Sequence, residues 1–148
     1  MNFLGLFVRF WKRISQDSIS PEIEPDERLS RYVLYNRHMK QGRLRPQAFL
    51  PAPRTRTTSV YRTKGCSEDM IWQLGDRFVT ALHREKRPVI GRGDIPAQVV
   101  LDQDLRIVSS PTPHARHADI LNWPPEEDLL LMKATELATR AALVRRPS

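Results

Sequence analysis

Apolar residues recur at steps of three and four in two long stretches, the spacing that lines one face of a helix. After Ser67 come Ile71, Leu74, Phe78 and Leu82, with Glu68 and Asp69 in the first turn and Pro88 beyond. A capping hydroxyl, acids at the N-terminal end and a proline stop predict a helix over residues 67–87. Pro125 then stands where a first helical residue tolerates proline, and Glu126, Glu127 and Asp128 follow it. Leu130, Ala134, Leu137, Ala141 and Val144 continue the stripe, and Arg145 and Arg146 close it with the sign the helix dipole favours, which predicts a helix over residues 125–146.

Weaker patterns fill the gaps. Leu29, Tyr32, Val33 and Asn36 follow helical spacing behind Asp26, so a third helix is expected over residues 27–39, ended by Gly42. Residues 57–62 (TTSVYR) have strand composition. Two apolar strings, 97–101 and 105–108, flank Asp102-Gln103-Asp104 and read as a hairpin. Three prolines hold residues 42–53 extended, with Phe49 and Leu50 turned inward, and residues 111–125 read as a loop in which Trp123 lids the last helix. The expected fold is therefore α+β: one small domain with two main helices, a few short antiparallel strands and long proline-rich loops.

At the N-terminus, Phe3, Phe7, Phe10, Trp11 and Ile14 fall on one helical face, with Arg9, Lys12 and Arg13 toward its end. This predicts an amphipathic helix over residues 1–15, too short in its apolar run to span a bilayer and with its charges on the wrong side for a secretory signal. Residues 16–27 hold five acids and two prolines and read as a linker, leaving residues 28–148 as the globular domain. The whole chain has 148 residues, enough for one core without cross-links. A mean hydropathy of −0.49 and twelve prolines point to much irregular structure. The single cysteine, Cys66, rules out an internal disulfide and a multi-cysteine zinc site, which fits a cytoplasmic protein.

Charge changes the picture most. The formal net charge is +7, and ten of the 24 Lys and Arg residues fall between Arg28 and Lys64, where no Asp or Glu occurs. Long-range attraction then favours a nucleic acid or an acidic protein as partner. Arginine dominates the segment, and its planar guanidinium suits bidentate contact with phosphate. Arg28, Arg31, Arg37, Arg43, Arg45, Arg54 and Arg56 are the expected phosphate contacts, with Tyr35 placed to stack on an unpaired base; Tyr32, Phe49 and Tyr61 are interleaved with them. Binding of this kind requires Arg31 and Arg37 to share a surface with Arg54 and Arg56. The competing reading is a solvated face whose arginines pair with Glu126, Glu127 and Asp128.

Catalytic signals are sparser. His114 and His117 lie three residues apart with Asp119 nearby, but a metal site needs further ligands and HExxH is absent, so neither a metal nor a cofactor is expected. If His38 joined His114 or His117 in space, the pair would suit RNA cleavage without a metal, one ring taking the 2′-hydroxyl proton and another protonating the leaving oxygen. His83 reads instead as a cation at a helix C-terminus. Phosphate-binding glycine loops are missing, and the Arg92-Gly93-Asp94 tripeptide reads as chance. Residues 28–38 (RLSRYVLYNRH) resemble the opening segment of RNA 2′-phosphotransferases, where Leu-Ser and a basic-His end share a helix; the likeness stops after these residues and no function is carried over. The expected role is a basic, nucleic-acid-binding protein. An assembly subunit docking through Phe3, Phe7, Phe10 and Trp11, as a homo-oligomer or in a larger complex, is the second reading, and a small RNA-processing enzyme the third.

Overall fold

The computed structural model describes residues 19–148; the amphipathic helix expected over residues 1–15, with Phe3, Phe7, Phe10 and Trp11, lies outside them. The fold is α+β, and its centre is a six-stranded antiparallel sheet. Strand β1 (Arg28–Val33) takes the middle, paired with β4 (Thr58–Arg62) on one side and β5 (Gly91–Pro96) on the other. Beyond β4 come β7 (His117–Leu121) and then β6 (Arg106–Ser109), and beyond β5 comes β8 (Ala142–Arg145). A separate small hairpin joins β2 (Met39–Lys40) to β3 (Arg43–Leu44). Gln41 and Gly42 turn it with φ of 52° and 74°, the left-handed pair that a two-residue hairpin turn requires.

Successive side chains in a strand alternate faces, and here both faces are covered. Leu29, Val33, Val60, Ile95, Ala118 and Ile120 point to one side, where helix α3 (Glu127–Arg140) brings Ala134, Leu137 and Ala138. The short helix α2 (Ala97–Leu101) and the loop residues Leu44 and Phe49 complete that core, and Trp123 is buried against it. Leu44 comes so close to the sheet that a Cβ on Gly93 would stand 2.4 Å from its Cδ1. Tyr32 and Tyr61 point to the other side, where helix α1 (Glu68–Gly75) packs Ile71, Trp72 and Leu74. Ser67 caps α1 by accepting a hydrogen bond from the Met70 N–H at 3.2 Å, and a π-helical turn (Asp76–Thr80) prolongs it.

Several expected elements differ. The helix expected over 27–39 is the central strand β1, and Gly42 turns a hairpin instead of ending a helix. The apolar string 97–101 is helical, not the first arm of a hairpin. A strand, β7, occupies the middle of the loop expected over 111–125. The last helix stops at Arg140, because Ala141 turns extended (φ −77°, ψ 144°) and the chain enters β8 along the edge of β5.

Charge is also built into the interior. Arg62, 2 % exposed, donates from Nε and Nη2 to both oxygens of Glu27, at 2.7 and 2.8 Å. Its Nη1 and Nη2 hold the Ser20 and Glu22 carbonyls at 2.5 and 3.1 Å, which fastens the acidic segment to the sheet. Burial alone would raise the Glu27 carboxyl, but hydrogen bonds from Arg62 and the Glu24 N–H outweigh it and leave the group below its usual range. On the α1 face, Arg92 pairs with Asp94 at 3.0 Å and Glu68 at 2.9 Å, with its guanidinium over Trp72. Arg92 is 1 % exposed, so the Arg-Gly-Asp string is strand interior and presents no adhesion motif. Arg146 closes the fold with a bidentate pair to Asp76 at 2.6 and 2.8 Å.

Candidate functional site

Because β1 and β4 are antiparallel neighbours, residues 34–57 leave and return at one end of the sheet. Arg37, Arg43, Arg45, Arg54 and Arg56 all ride on that connection and are exposed. None of Arg37, Arg43, Arg45 or Arg54 forms an ion pair among the described residues, so the pairing imagined with Glu126, Glu127 and Asp128 is not made by them. Arg56 donates to the Pro124 carbonyl at 2.8 Å. Arg28 stands at the opposite end of β1, donating to Thr63 Oγ1 at 3.1 Å and to the Thr63 carbonyl at 2.8 Å, and does not join the group. Arg62 and Lys64 are spent on Glu27 and Asp26.

A cleft of ≈ 360 Å³ begins at the 34–57 connection and reaches along the sheet to His117. Arg31, Tyr32, Leu34, Tyr35 and His38 line it from β1 and the turn that follows, and Ser59 and Tyr61 from β4. The π-helical turn contributes Phe78 and Val79, with Leu82 and His83 just after it, and Pro113 and His117 close the remaining wall. A π-turn widens the helical ladder by one residue and is often found where a helix meets a functional site. Three of the chain's four histidines thus share one cleft. The fourth, His114, is buried directly behind it, with its ring 4.8 Å from that of Phe78 and its Nδ1 accepting the Arg116 N–H at 3.0 Å. No carboxylate among the described residues lines the cleft. Among the described residues no three His, Cys, Asp or Glu gather closely enough to hold a metal ion, so His114, His117 and Asp119 do not make the ligand set their spacing suggested.

The cleft is electropositive for identifiable reasons. Arg31 donates from Nε to the Ala48 carbonyl at 2.7 Å and from Nη1 to the Ser59 carbonyl at 2.9 Å, and has no carboxylate partner. Burial brings its guanidinium down to about 10, which leaves it charged at neutral pH. His38 is held below its ordinary value of 6.5 by burial and then by the charges of Arg37, Arg31 and Arg45. Tyr35 sits under two guanidinium groups, Arg37 at 4.1 Å and Arg87 at 4.4 Å from its ring centroid. Its hydroxyl meets His83 Nε2 at 3.3 Å, and its ring lies 5.2 Å from that of His38. Burial, reinforced by Asp119, raises the Tyr61 hydroxyl to about 12, so it stays a hydrogen-bond donor.

Of the aromatic residues interleaved with the arginines, Phe49 is core, Tyr32 and Tyr61 are buried but line the cleft, and Tyr35 is partly exposed in it. Ser59, Phe78, His83 and Arg87 belong to the site without having been singled out for it. Of these, only His83 carried a signal, as a cation at a helix C-terminus. Among the described residues no helix is long and apolar enough to cross a membrane. No protein-family model matches the sequence, and no curated protein and no solved structure is similar to it at a significant level.

Proposed function

We propose that this chain binds single-stranded nucleic acid, seating one nucleotide in the cleft and laying the adjoining phosphates on the arginine-bearing loops. The observation that carries the reading is a cleft in which, among the described residues, no carboxylate stands and Arg31, donating to the Ala48 and Ser59 carbonyls, is gathered with three histidines beside Tyr35. A volume of ≈ 360 Å³ is at the lower end of small-ligand sites and suits one nucleotide rather than a duplex. The apolar wall of Leu34, Phe78, Val79 and Leu82 suits a base, while Arg31 and His38 suit its phosphate. Arg37, Arg43, Arg45, Arg54 and Arg56 extend the positive surface from the same end of the sheet. Fluorescence anisotropy with short labelled RNA and DNA single strands at ~50 mM salt, where counterion release most favours binding, tests this. The expected affinity falls as salt rises, and Arg31→Ala weakens it. Absence of binding at low salt overturns the proposal.

A second reading, docking to another protein chain, is favoured by the outer side of α3. Leu129, Leu131 and Met132 are 43 %, 48 % and 57 % exposed there, while the Leu130, Ala134, Leu137 stripe faces the core. Measuring the mass in solution with and without residues 1–15 tests it, and a monomer in both cases removes self-assembly through that segment.

A further inference from the structure

Backbone groups fix two of the cleft's histidines in opposite tautomers. His117 Nδ1 lies 2.9 Å from the Ser110 carbonyl. A carbonyl only accepts, so Nδ1 carries the proton and Nε2 keeps its lone pair in the neutral ring. Asp119 Oδ1 stands 3.8 Å from Nε2, beyond hydrogen-bonding distance. His83 is set the other way. Its Nδ1 accepts the Glu85 N–H at 3.1 Å, so Nε2 carries the proton and donates to the Tyr35 hydroxyl oxygen. That leaves the Tyr35 proton to be given elsewhere, and a phenolate at this place is met by the His83 N–H and by the guanidinium groups of Arg37 and Arg87.

We propose that the cleft is a proton-transfer site for single-stranded RNA, with His117 Nε2 as the base and the Tyr35 hydroxyl as the acid of a phosphodiester transesterification. The inference rests on the nucleic-acid reading above. His117 takes the proton of a ribose 2′-hydroxyl, and the 2′-oxygen forms a bond to phosphorus. The bond from phosphorus to the 5′-oxygen breaks with its electron pair, and that oxygen receives the Tyr35 proton. The products are a 2′,3′-cyclic phosphate and a 5′-hydroxyl, and the proton on His117 returns to the Tyr35 phenolate through solvent, so no oxidant, reductant or further reactant is consumed. Arg31 faces the phosphate as its charge shifts among the oxygens. His83 is a positioning residue acting through Tyr35.

The test uses the full chain and a DNA strand carrying one ribonucleotide, beside the same strand with a 2′-O-methyl group there. The first reports cleavage, with the termini identified by mass spectrometry, and the second reports binding alone. The expected result is cleavage to a cyclic phosphate that, with the strand saturated by protein, falls by ~10²-fold or more in His117→Ala and Tyr35→Phe, as loss of a general base or acid does. Tyr35→Phe removes one oxygen from a partly exposed ring, so it decides the matter even where His117→Ala fails to fold. His83→Ala moves the alkaline limb of the pH–rate profile upward, because the phenolate has lost a donor; a merely structural role leaves that limb in place. Binding of the methylated strand without cleavage of the other overturns the catalytic proposal and spares the binding one. Absence of binding overturns both, and equal cleavage by wild type and Tyr35→Phe overturns the assignment of the acid.

Discussion

Glu27→Ala isolates the energetic role of the segment that its composition marks as a linker. The substitution leaves the Arg62 guanidinium, 2 % exposed, facing only the Ser20 and Glu22 carbonyls and without its carboxylate. Removing one partner of a buried pair costs about 3–5 kcal/mol, since the remaining charge stays dehydrated. Against a total of ~5–15 kcal/mol for an ordinary domain this is a large share, and at about 2–4 °C per kcal/mol it lowers Tm by on the order of 10 °C. Urea unfolding followed by far-UV circular dichroism reads the same loss as a lower midpoint at unchanged slope. The pH dependence supplies an internal control. The Glu27 pKa is depressed in the fold, below its ordinary 4.5, so its contribution is complete above that value and disappears as pH falls through the folded value. The gap between wild type and Glu27→Gln therefore closes under acid. A loss under ~1 kcal/mol at neutral pH, the scale of an exposed pair, refutes the argument, as does a gap that ignores pH.

Three further outcomes are expected. Gly93→Ala drives a methyl to 2.4 Å from Leu44 Cδ1 and 3.3 Å from Phe49 Cζ, and overpacking of this kind costs about 1–3 kcal/mol in thermal unfolding. Ser67→Ala removes the cap on the Met70 N–H and costs ~1 kcal/mol by the same measurement, with the cleft's ligand affinity unchanged. Affinity for single-stranded nucleic acid rises as pH falls below 6.5: burial and the Arg37, Arg31 and Arg45 charges depress His38, and a bound phosphate offsets those charges, so binding takes up a proton. Titration calorimetry in buffers of different ionisation enthalpy detects that proton directly, and a pH-independent affinity refutes the role given to His38.

What the sequence made legible was what local rules govern. The cap at Ser67, the acids after Pro125 and the β-branched run at 58–62 each act within one turn or one strand, and those elements begin close to where their patterns place them, though both helices end before their patterns do. The central strands were hidden because both of their faces are buried. In β1, Leu29 and Val33 meet one core and Tyr32 the other, while Ser30 is buried by hydrogen bonds to Thr63 and Asp94, so no polar side marks the alternation. In β5 the sequence GRGDIP has two glycines and an ion pair, a composition that favours turns until the neighbouring strands impose extension. β8 kept helical spacing yet yields to the edge of β5 that needs a partner. The site was fragmentary for the same reason. His38, His83 and His117 come from separate elements, and the register Tyr61↔His117 sets His117 beside Tyr61 in the wall of the cleft that His38 and His83 also line.

The place of β8 has a consequence for how the chain is made. The sheet order puts residues 142–145 beside residues 91–96, so during vectorial synthesis β5 waits with one side unpaired until β8 has left the ribosome. The Arg146 pair with Asp76 and the backbone bond from Arg146 N–H to the Ile90 carbonyl form later still. A nascent chain halted before Ala142 exposes a ready template for strand addition, and the emergence of residues 142–145 seals it.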